Sequence, residues 1–447
     1  MARRALGRIA VRARGRGKAR RGASSIVKNV ETMSKLVLGV ETSCDDTAAA
    51  VVNSSGDVLG ESVVSQDDLH QQWGGVVPNL ARQAHERAVS SVTSSAINQA
   101  CTSASSLSAI AVTQGPGLSP CLRVGLSHAL QLAHDHSLPV IRVHHMEAHA
   151  LVARSLQSFS FPFLALLVSG GHNQVLMARA LGEYRILGST VDDAVGEAFD
   201  KTARALGLRG GGPELEKLAH EGDEHSIAFA KPLKKHCTCD FSYAGMKTAA
   251  KKAAENAIGE DNGPDKSDRR ARADVAASFQ RVAVEHLSER LKRGVEWARQ
   301  VSPELKHVVV AGGVACNMRL RSELERLEEE LDIELVCPPP KLCTDNGVMV
   351  AWAGHERLSL GWQEGSPSEA MTSETFLEVK PRWPLGKVDP RAMQNLRSTR
   401  KKNIYDDLTS LTKRTLAQMQ SQQHEDQQKG DHLDAWEERS AKAQQLP

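Results

Sequence analysis

The sequence predicts a two-lobed α/β protein, and three stretches carry that expectation. Residues 36–64, LVLGVETSCDDTAAAVVNSSGDVLGESVV, set two apolar strands around a polar ETSCDD turn, and the Asn53-to-Asp57 turn leads into a third strand. Residues 161–180, FPFLALLVSGGHNQVLMARA, repeat the order strand, small polar turn, strand. Residues 307–327, HVVVAGGVACNMRLRSELERL, read as strand, glycine turn and helix. The first two runs each lead into more strand and then helix, as one duplicated unit per lobe would. Two α/β lobes with glycine turns facing a shared cleft bury such elements naturally.

The remaining elements follow in order. Residues 79–100 read as an amphipathic helix, 107–112 as a buried strand ending at Gly115-Pro116-Gly117, and 121–137 as a helix. A strand at 139–143 leads into a helix over 145–157. DDAVGEAFDKTARALGL (192–208) is a helix stopped by Gly210-Gly211-Gly212-Pro213. Residues 257–270 read as a polar surface loop, and a long helix covers about 272–300. From 398 the chain is rich in Gln, Lys and Glu with few apolar anchors, which reads as disorder or a solvated helix.

With 447 residues, 40% hydrophobic and 25% charged, the composition excludes collagen-like and wholly disordered chains. The longest apolar runs, such as Leu164 to Val168, fall far short of the ~20 residues a membrane helix needs, so no membrane contact is expected. Residues 1–28 hold eight Arg and two Lys with no acid before Glu31, while the remainder is net −8. An Arg-rich, acid-free leader reads as an organelle transit peptide, with a basic nucleic-acid-binding arm as the alternative. Met33 is a second candidate start. Eight sparse cysteines without any C-x-x-C pattern suit a reducing compartment.

His145 and His149 open a helix four residues apart, so both imidazoles point about the same way and can hold a divalent metal. Two core-rim histidines are the plain alternative. A zinc protease needs H-E-x-x-H. Here Glu147 stands at i+2, about 200° round the helix from His145, and cannot serve as that general base. Asp345, in a Thr-Asp-Asn-Gly turn before an apolar helix, is a candidate third ligand, a helix N-cap, or both. It lies 196 residues beyond His149, so an ion held by all three is expected to bridge the two lobes.

Val168-Ser169-Gly170-Gly171-His172 is a glycine turn that permits positive φ and close approach of a ligand to backbone N–H groups, though a plain hairpin turn looks the same. Ala311 to Asn317 lies between strand and helix, where nucleotides commonly bind, yet fits neither the P-loop nor the dinucleotide fingerprint. Gly211-Gly212-Pro213 followed by Glu216 is another close-approach point. Residues 231–252 carry six lysines against one acid, Asp240. That stretch is either a solvated face or a contact to phosphate backbone, with Lys234, Lys235 and Lys251 as the candidate contacts.

Together these motifs resemble the tRNA threonylcarbamoyladenosine transferases, formerly described as O-sialoglycoprotein endopeptidases, of the actin/Hsp70/sugar-kinase superfamily. GVETSCDDTAAAVV, GGVVPNLARQAH, TQGPGL, HHMEAHAL, VSGGHNQV, DDAVGEAFDKTAR, FSYAGMKTA, AGGVACNMRLR and CTDNGVMVAW occur in that family's order across roughly residues 36–360. With the Arg-rich leader, the chain resembles the mitochondrial branch. The resemblance implies a duplicated mixed-sheet fold around a central cleft. Its parts would be a leader over 1–34, an N-terminal lobe over 35–150, a C-terminal lobe with a return segment over 151–396, and a polar tail over 397–447.

The resemblance also implies roles. His145, His149 and Asp345 match the family's metal ligands, for one divalent ion per subunit, iron or zinc. Val168, Ser169, Gly170, Gly171 and His172 match the loop that binds threonylcarbamoyl-adenylate. Asp200, Gly212, Glu216 and Asn317 match other nucleotide contacts, and Glu41 a polar position at the first hairpin of the cleft. Arg209-Gly210 stand where bacterial members have Tyr-Pro. The implied reaction moves the threonylcarbamoyl group from its adenylate, supplied by a separate synthase, to N6 of adenosine 37 in tRNAs reading ANN codons, in the mitochondrial matrix. His172 is the candidate general base, with a donor-binding role equally open, and a homodimer is left open. A metalloprotease and a superfamily kinase or ATPase are the competing readings.

Overall fold

The structure is a computed structural model that describes residues 34–71, 75–258, 269–368 and 377–392. The leader expected over 1–34, all but the ends of the loop expected over 257–270, and the tail expected over 397–447 lie outside the described residues.

In chain order the elements are β1 (Leu36–Glu41), β2 (Asp46–Asn53), β3 (Val58–Ser65), α1 (Asp67–Gln71), α2 (Pro78–Gln99), β4 (Ala109–Gly115), α3 (Ser119–Asp135) and β5 (Val140–His144). Then come α4 (His145–Leu151), α5 (Ala153–Leu156), β6 (Phe163–Val168), β7 (Asn173–Ala180), β8 (Glu183–Ser189), α6 (Val195–Ala205) and α7 (Gly211–Ala219). The chain continues through α8 (Ala244–Ile258), α9 (Arg269–Arg299), β9 (His307–Ala311), α10 (Met318–Leu331), β10 (Glu334–Val336), α11 (Pro340–Cys343), α12 (Gly347–Ser359) and β11 (Lys387–Val388).

The duplication is visible in the strand order. One sheet runs β3-β2-β1-β4-β5, and the other runs β8-β7-β6-β9-β10 with β11 added beyond β8. In each, three strands form an antiparallel meander and the rest join parallel: β1 pairs antiparallel with β2 and parallel with β4, as β6 does with β7 and β9. This is the duplicated, mixed-sheet α/β architecture expected from the sequence.

Alternation along the central strands divides the core. Leu38 and Val40 of β1 pack with α2 and α3, while Val37 faces a middle layer that also holds Met349 and Val350 of α12. Leu164, Leu166 and Val168 of β6 pack with α6 and α9, while Phe163, Ala165 and Leu167 face the same middle layer. That layer contains Met146, Ala148 and Leu151 of α4 beside α12, so both sheets close on one shared core.

The approach of α12 to β1 depends on two glycines. A Cβ on Gly39 would stand 2.3 Å from the Gly347 carbonyl oxygen, and one on Gly347 2.3 Å from the Ala49 carbonyl carbon. The long-range return of α12 to the first sheet therefore has no room for a side chain at either contact.

Two expectations about helices change. The helix expected over 145–157 breaks at Val152 into α4 and α5. The glycines at 210–212 end nothing: α6 stops at Ala205, and Gly210 and Gly211, both at positive φ, begin α7.

Candidate active site and metal centre

The metal candidates converge on one oxygen. His145 Nε2 lies 3.6 Å and His149 Nε2 3.1 Å from Asp345 Oδ1, and the three ligand atoms lie within 4.8 Å of one another. Two imidazoles and a carboxylate are a donor set suited to a divalent transition ion. The alternative job proposed for Asp345 belongs to its neighbour: Asn346 Oδ1 accepts from Met349 N at 2.8 Å and caps α12. Asp345 is thereby left to face the histidines. His145 and His149 lie on α4 and Asp345 just before α12, two helices that pack against each other in the middle layer between the sheets. All three residues sit on one buried support.

Glu147 points elsewhere. It is fully buried, its Oε2 accepts from the Arg357 guanidinium (Nε at 3.0 Å) and its Oε1 from Gly182 N at 3.2 Å. The spacing argument against the protease reading therefore holds in three dimensions.

Glu41 does not line the cleft as a substrate contact. It is fully buried behind His145. Its Oε2 accepts from Thr113 Oγ1 at 2.6 Å and lies 3.1 Å from His145 Nδ1, while Oε1 accepts from Ser43 N at 2.6 Å. A carboxylate accepting Nδ1–H fixes the imidazole so that Nε2 faces the metal position. Burial works against charge on His145, but Asp345 and Glu41 outweigh it and hold its pKa up at about 9. Burial likewise opposes ionisation of Asp345, and the charge on His145 with the His149 bond overcomes it, so its carboxyl sits well below the usual range. His172 is 6.3 Å from His145, ring to ring. Burial, then the charges at His145 and His149, push its pKa down to about 4, so it is neutral at pH 7.

Residue 144 orients the same helix start. His144 Nδ1 accepts from Met146 N at 3.1 Å, and its Nε2 faces the Trp383 carbonyl at 2.9 Å. Trp383 belongs to a segment over 377–383 that crosses the first lobe, where Lys380 N donates to Gln114 O at 2.9 Å.

A cleft of about 660 Å³ opens over the triad and is walled by Ser169, Gly170, Gly171 and His172, with Lys201 and Arg204 also lining it. Gly170 and Gly171 do not use positive φ, as their glycine character suggested. A Cβ at either would meet nothing within 4 Å, so their backbone is open to a ligand. The Ser169 amide is already committed to the His172 carbonyl at 2.8 Å, which leaves the Gly170 and Gly171 amides as the turn's available donors.

An adjoining cavity of about 490 Å³ is lined by Asp200, Gly212, Glu216 and Asn317, and by Gly170 and Thr344, which it shares with the cleft. Asp200 Oδ1 accepts from Gly212 N at 2.8 Å and Glu216 Oε1 from Met318 N at 2.7 Å. Asn317 Oδ1 caps α10 through Leu320 N, and its Nδ2 donates to Gln280 Oε1 at 2.9 Å. Gly312, at φ +100°, brings this wall against β6, where a Cβ would stand 2.2 Å from Val168 O. Val168 itself is a buried core residue of β6.

A family model described as TsaD, tRNA N6-adenosine threonylcarbamoyltransferase, matches residues 57–352. The chain belongs to this family. A curated relative from Arabidopsis thaliana, named as a probable mitochondrial tRNA N6-adenosine threonylcarbamoyltransferase, is 50% identical over 395 residues, covering 87% of this chain and 82% of that protein. The mitochondrial enzyme of Danio rerio is 39% identical, covering 80% and 90%. Among solved structures, HypF from T. kodakarensis aligns with a TM-score of 0.48 at 16% identity, covering 74% of this chain and 48% of that one. This threonylcarbamoyltransferase is an acyltransferase that modifies tRNA.

The basic stretch of the transferase is thinner than its composition suggested. Lys231 pairs with Glu285 and Glu289, Lys247 with Asp193, and Lys251 lies 3.8 Å from Glu255. Lys234 and Lys235 are exposed on a loop whose carbonyls at Leu233, His236 and Thr238 accept from the buried Arg290. None of the three proposed tRNA lysines lines the cleft. Sequence reasoning missed Lys201 and Arg204 there, although their spacing on the amphipathic α6 was the available signal. It also missed Thr113 and Ser43, which no pattern marks as partners of Glu41.

Proposed function

We propose that this chain transfers the threonylcarbamoyl group from threonylcarbamoyl-adenylate to N6 of adenosine 37 in tRNAs reading ANN codons, releasing AMP. The carrying observation is the convergence of His145, His149 and Asp345 beneath the Gly170–Gly171 turn. The adenylate moiety fits the adjoining cavity, with the free second Nδ2–H of Asn317 and the Oε2 of Glu216 turned to its polar atoms. The acyl group then lies over the triad. His145, His149 and Asp345 would hold one divalent ion, iron or zinc, and polarisation of a donor oxygen is the chemistry it would supply.

The N6 lone pair attacks the carbamoyl carbon, and the bond from that carbon to the phosphate oxygen breaks, so AMP departs with the bonding pair. The Gly170 and Gly171 amides donate to the carbonyl oxygen as its charge develops, a contribution of ~3 kcal/mol per donor in comparable sites. Neutral His172 accepts the N6 proton.

The donor comes from a separate synthase, and the enzyme works in the mitochondrial matrix. Two observations support the location: the Arg-rich leader over 1–34, acid-free through residue 28, and the mitochondrial names of the relatives. Residues 35–150 and 151–396 are the two lobes, with α12 as the return segment, and 397–447 a polar tail. Lys234, Lys235 and Lys251 contact the tRNA backbone.

The test is purified protein with tRNA and synthetic adenylate, read by nucleoside mass spectrometry. The modified nucleoside should appear and require His145 and Asp345. ATP hydrolysis without the modified base would favour the kinase reading instead.

A further inference from the structure

Two thiols lie between the nucleotide wall and the metal-bearing loop, and the transfer reaction uses neither. Cys316 ends the tight turn Gly313–Cys316 and lines the adenylate cavity. Cys343 ends α11, is fully buried, and stands two residues before Asp345. Both reach one proline run: Cys343 Sγ contacts Pro338 O at 3.3 Å and Cys316 Sγ contacts Pro340 O at 4.0 Å. Arg321 clamps the two segments together, donating to Ala315 O at 2.8 Å and to Pro338 O at 3.0 Å. The turn Gly313–Cys316 packs directly against α11, so both thiols sit at this clamp.

We propose that Cys316 and Cys343 are a redox-active dithiol that closes to an intramolecular disulfide by exchange with a low-molecular-weight disulfide such as oxidised glutathione. The asymmetry assigns the roles. Cys316 is half-buried and open to the cavity, so a small disulfide reaches it first. Its thiolate attacks one glutathione sulfur, forming a mixed disulfide and expelling one glutathione thiolate. Cys343, screened from solvent on the α11 segment that packs against the Cys316 turn, then attacks the Cys316 sulfur and releases the second glutathione. Two protein thiols lose two electrons and two protons, and one oxidised glutathione becomes two reduced ones. The neighbouring Cys343 thiol, aided by Arg321, lowers the Cys316 pKa to about 7, which suits an attacking thiol.

The bond would fasten the wall carrying Gly313–Cys316 to α11, immediately before Thr344, which lines both cavities. Oxidation then restrains the adenylate side and the Asp345 side as one piece, and slows turnover when the surroundings become oxidising.

The experiment incubates the full chain with graded ratios of oxidised to reduced glutathione, quenches in acid, alkylates all remaining thiols under denaturing conditions, and maps peptides by mass spectrometry. Expected is a Cys316–Cys343 cross-linked peptide that disappears with dithiothreitol. Cys316→Ser should give neither cross-link nor adduct at Cys343, and Cys343→Ser should accumulate glutathione on Cys316. Transfer by the oxidised wild type should fall at least threefold and return on reduction, whereas Cys316→Ser keeps the same rate before and after oxidation. A lasting glutathione adduct on wild-type Cys316, a bond through Cys337, or an oxidised protein with undiminished transfer overturns the proposal. The peptide map does not depend on the transfer reading, so the two fail separately.

Discussion

Replacing Glu41 by Gln separates orientation of the metal site from the ligands themselves. The carboxylate takes three short contacts, from Thr113 Oγ1, Ser43 N and His145 Nδ1. Gln offers one acceptor oxygen and one NH2 group in the same volume. Turned to keep Ser43 N on the oxygen, it sets NH2 against the Nδ1–H of His145, two donors face to face. The imidazole must then flip its proton or rotate, and either change spoils Nε2 as a ligand. A charge-assisted hydrogen bond is worth about 1.5–3 kcal/mol, and partners of this kind cost 10–100-fold in metal affinity when altered. Zinc affinity should therefore fall about 10–100-fold by competition with a chromophoric chelator. The bound stoichiometry should remain one at saturating metal, because His145, His149 and Asp345 are all present. Circular dichroism would check that the fold persists. A folded Glu41→Gln protein whose zinc affinity stays within twofold of wild type would refute the orientation argument.

Glu147→Gln should leave zinc affinity unchanged but lower stability by about 3 kcal/mol, since it leaves the Arg357 guanidinium without its buried anion; urea denaturation and a zinc titration decide it. Gly39→Ala should cost about 1–3 kcal/mol or more by forcing α12 off β1, and should weaken metal binding as well, because Asp345 moves with that helix; a variant as stable as wild type would contradict the packing. His286 is buried and, through burial and then Arg290, its pKa is pushed down to about 3. The unfolded chain binds a proton near 6.5 that the folded one refuses, so stability present above 6.5 is lost as pH falls toward 3, by about 1.4 kcal/mol per unit at most. His286→Gln should flatten that slope in denaturation curves between pH 6.5 and 4, and identical slopes would rule the residue out. Replacing Lys234 and Lys235 together by Ala should reduce the salt dependence of tRNA binding by roughly 0.7–0.9 in log–log slope for each phosphate no longer neutralised; an unchanged slope marks them as a solvated face.

Most of the architecture was legible because strand-turn-strand patterns are local. The runs at 36–64 and 161–180 became β1 to β3 and β6 to β7, with turns where the polar residues stand. The metal candidates were legible for a similar reason: His145 and His149 share a helix face by spacing alone. What lay hidden was set by distant chain. Nothing near Glu41 in sequence shows that Thr113 and His145 will close around it, so a buried orienting carboxylate passed for a cleft residue. The cap at α12 was ambiguous because Asp345 and Asn346 are adjacent and both suit the role. The break at Val152 and the stop of α6 at Ala205 leave no mark in the spacing of apolar residues. The lysines of 231–252 look denser in sequence than in space, since composition counts charges without their partners, and Glu285, Glu289 and Asp193 are far away in sequence.

The return of α12 to the first sheet bears on how the chain is made. Gly39 meets Ala351 across 312 residues of sequence, so β1 leaves the ribosome long before the helix that covers it. Until then one face of the first sheet, with Val37, Ala50 and Ala111, has no permanent partner. A nascent or newly translocated chain therefore carries an apolar half-finished layer through most of its emergence, the circumstance in which slow, long-range closure and chaperone dependence are expected. The candidate metal trio is completed in that same last step, because Asp345 arrives with α12. A chain that has acquired its ligand set has, by construction, finished folding its first lobe.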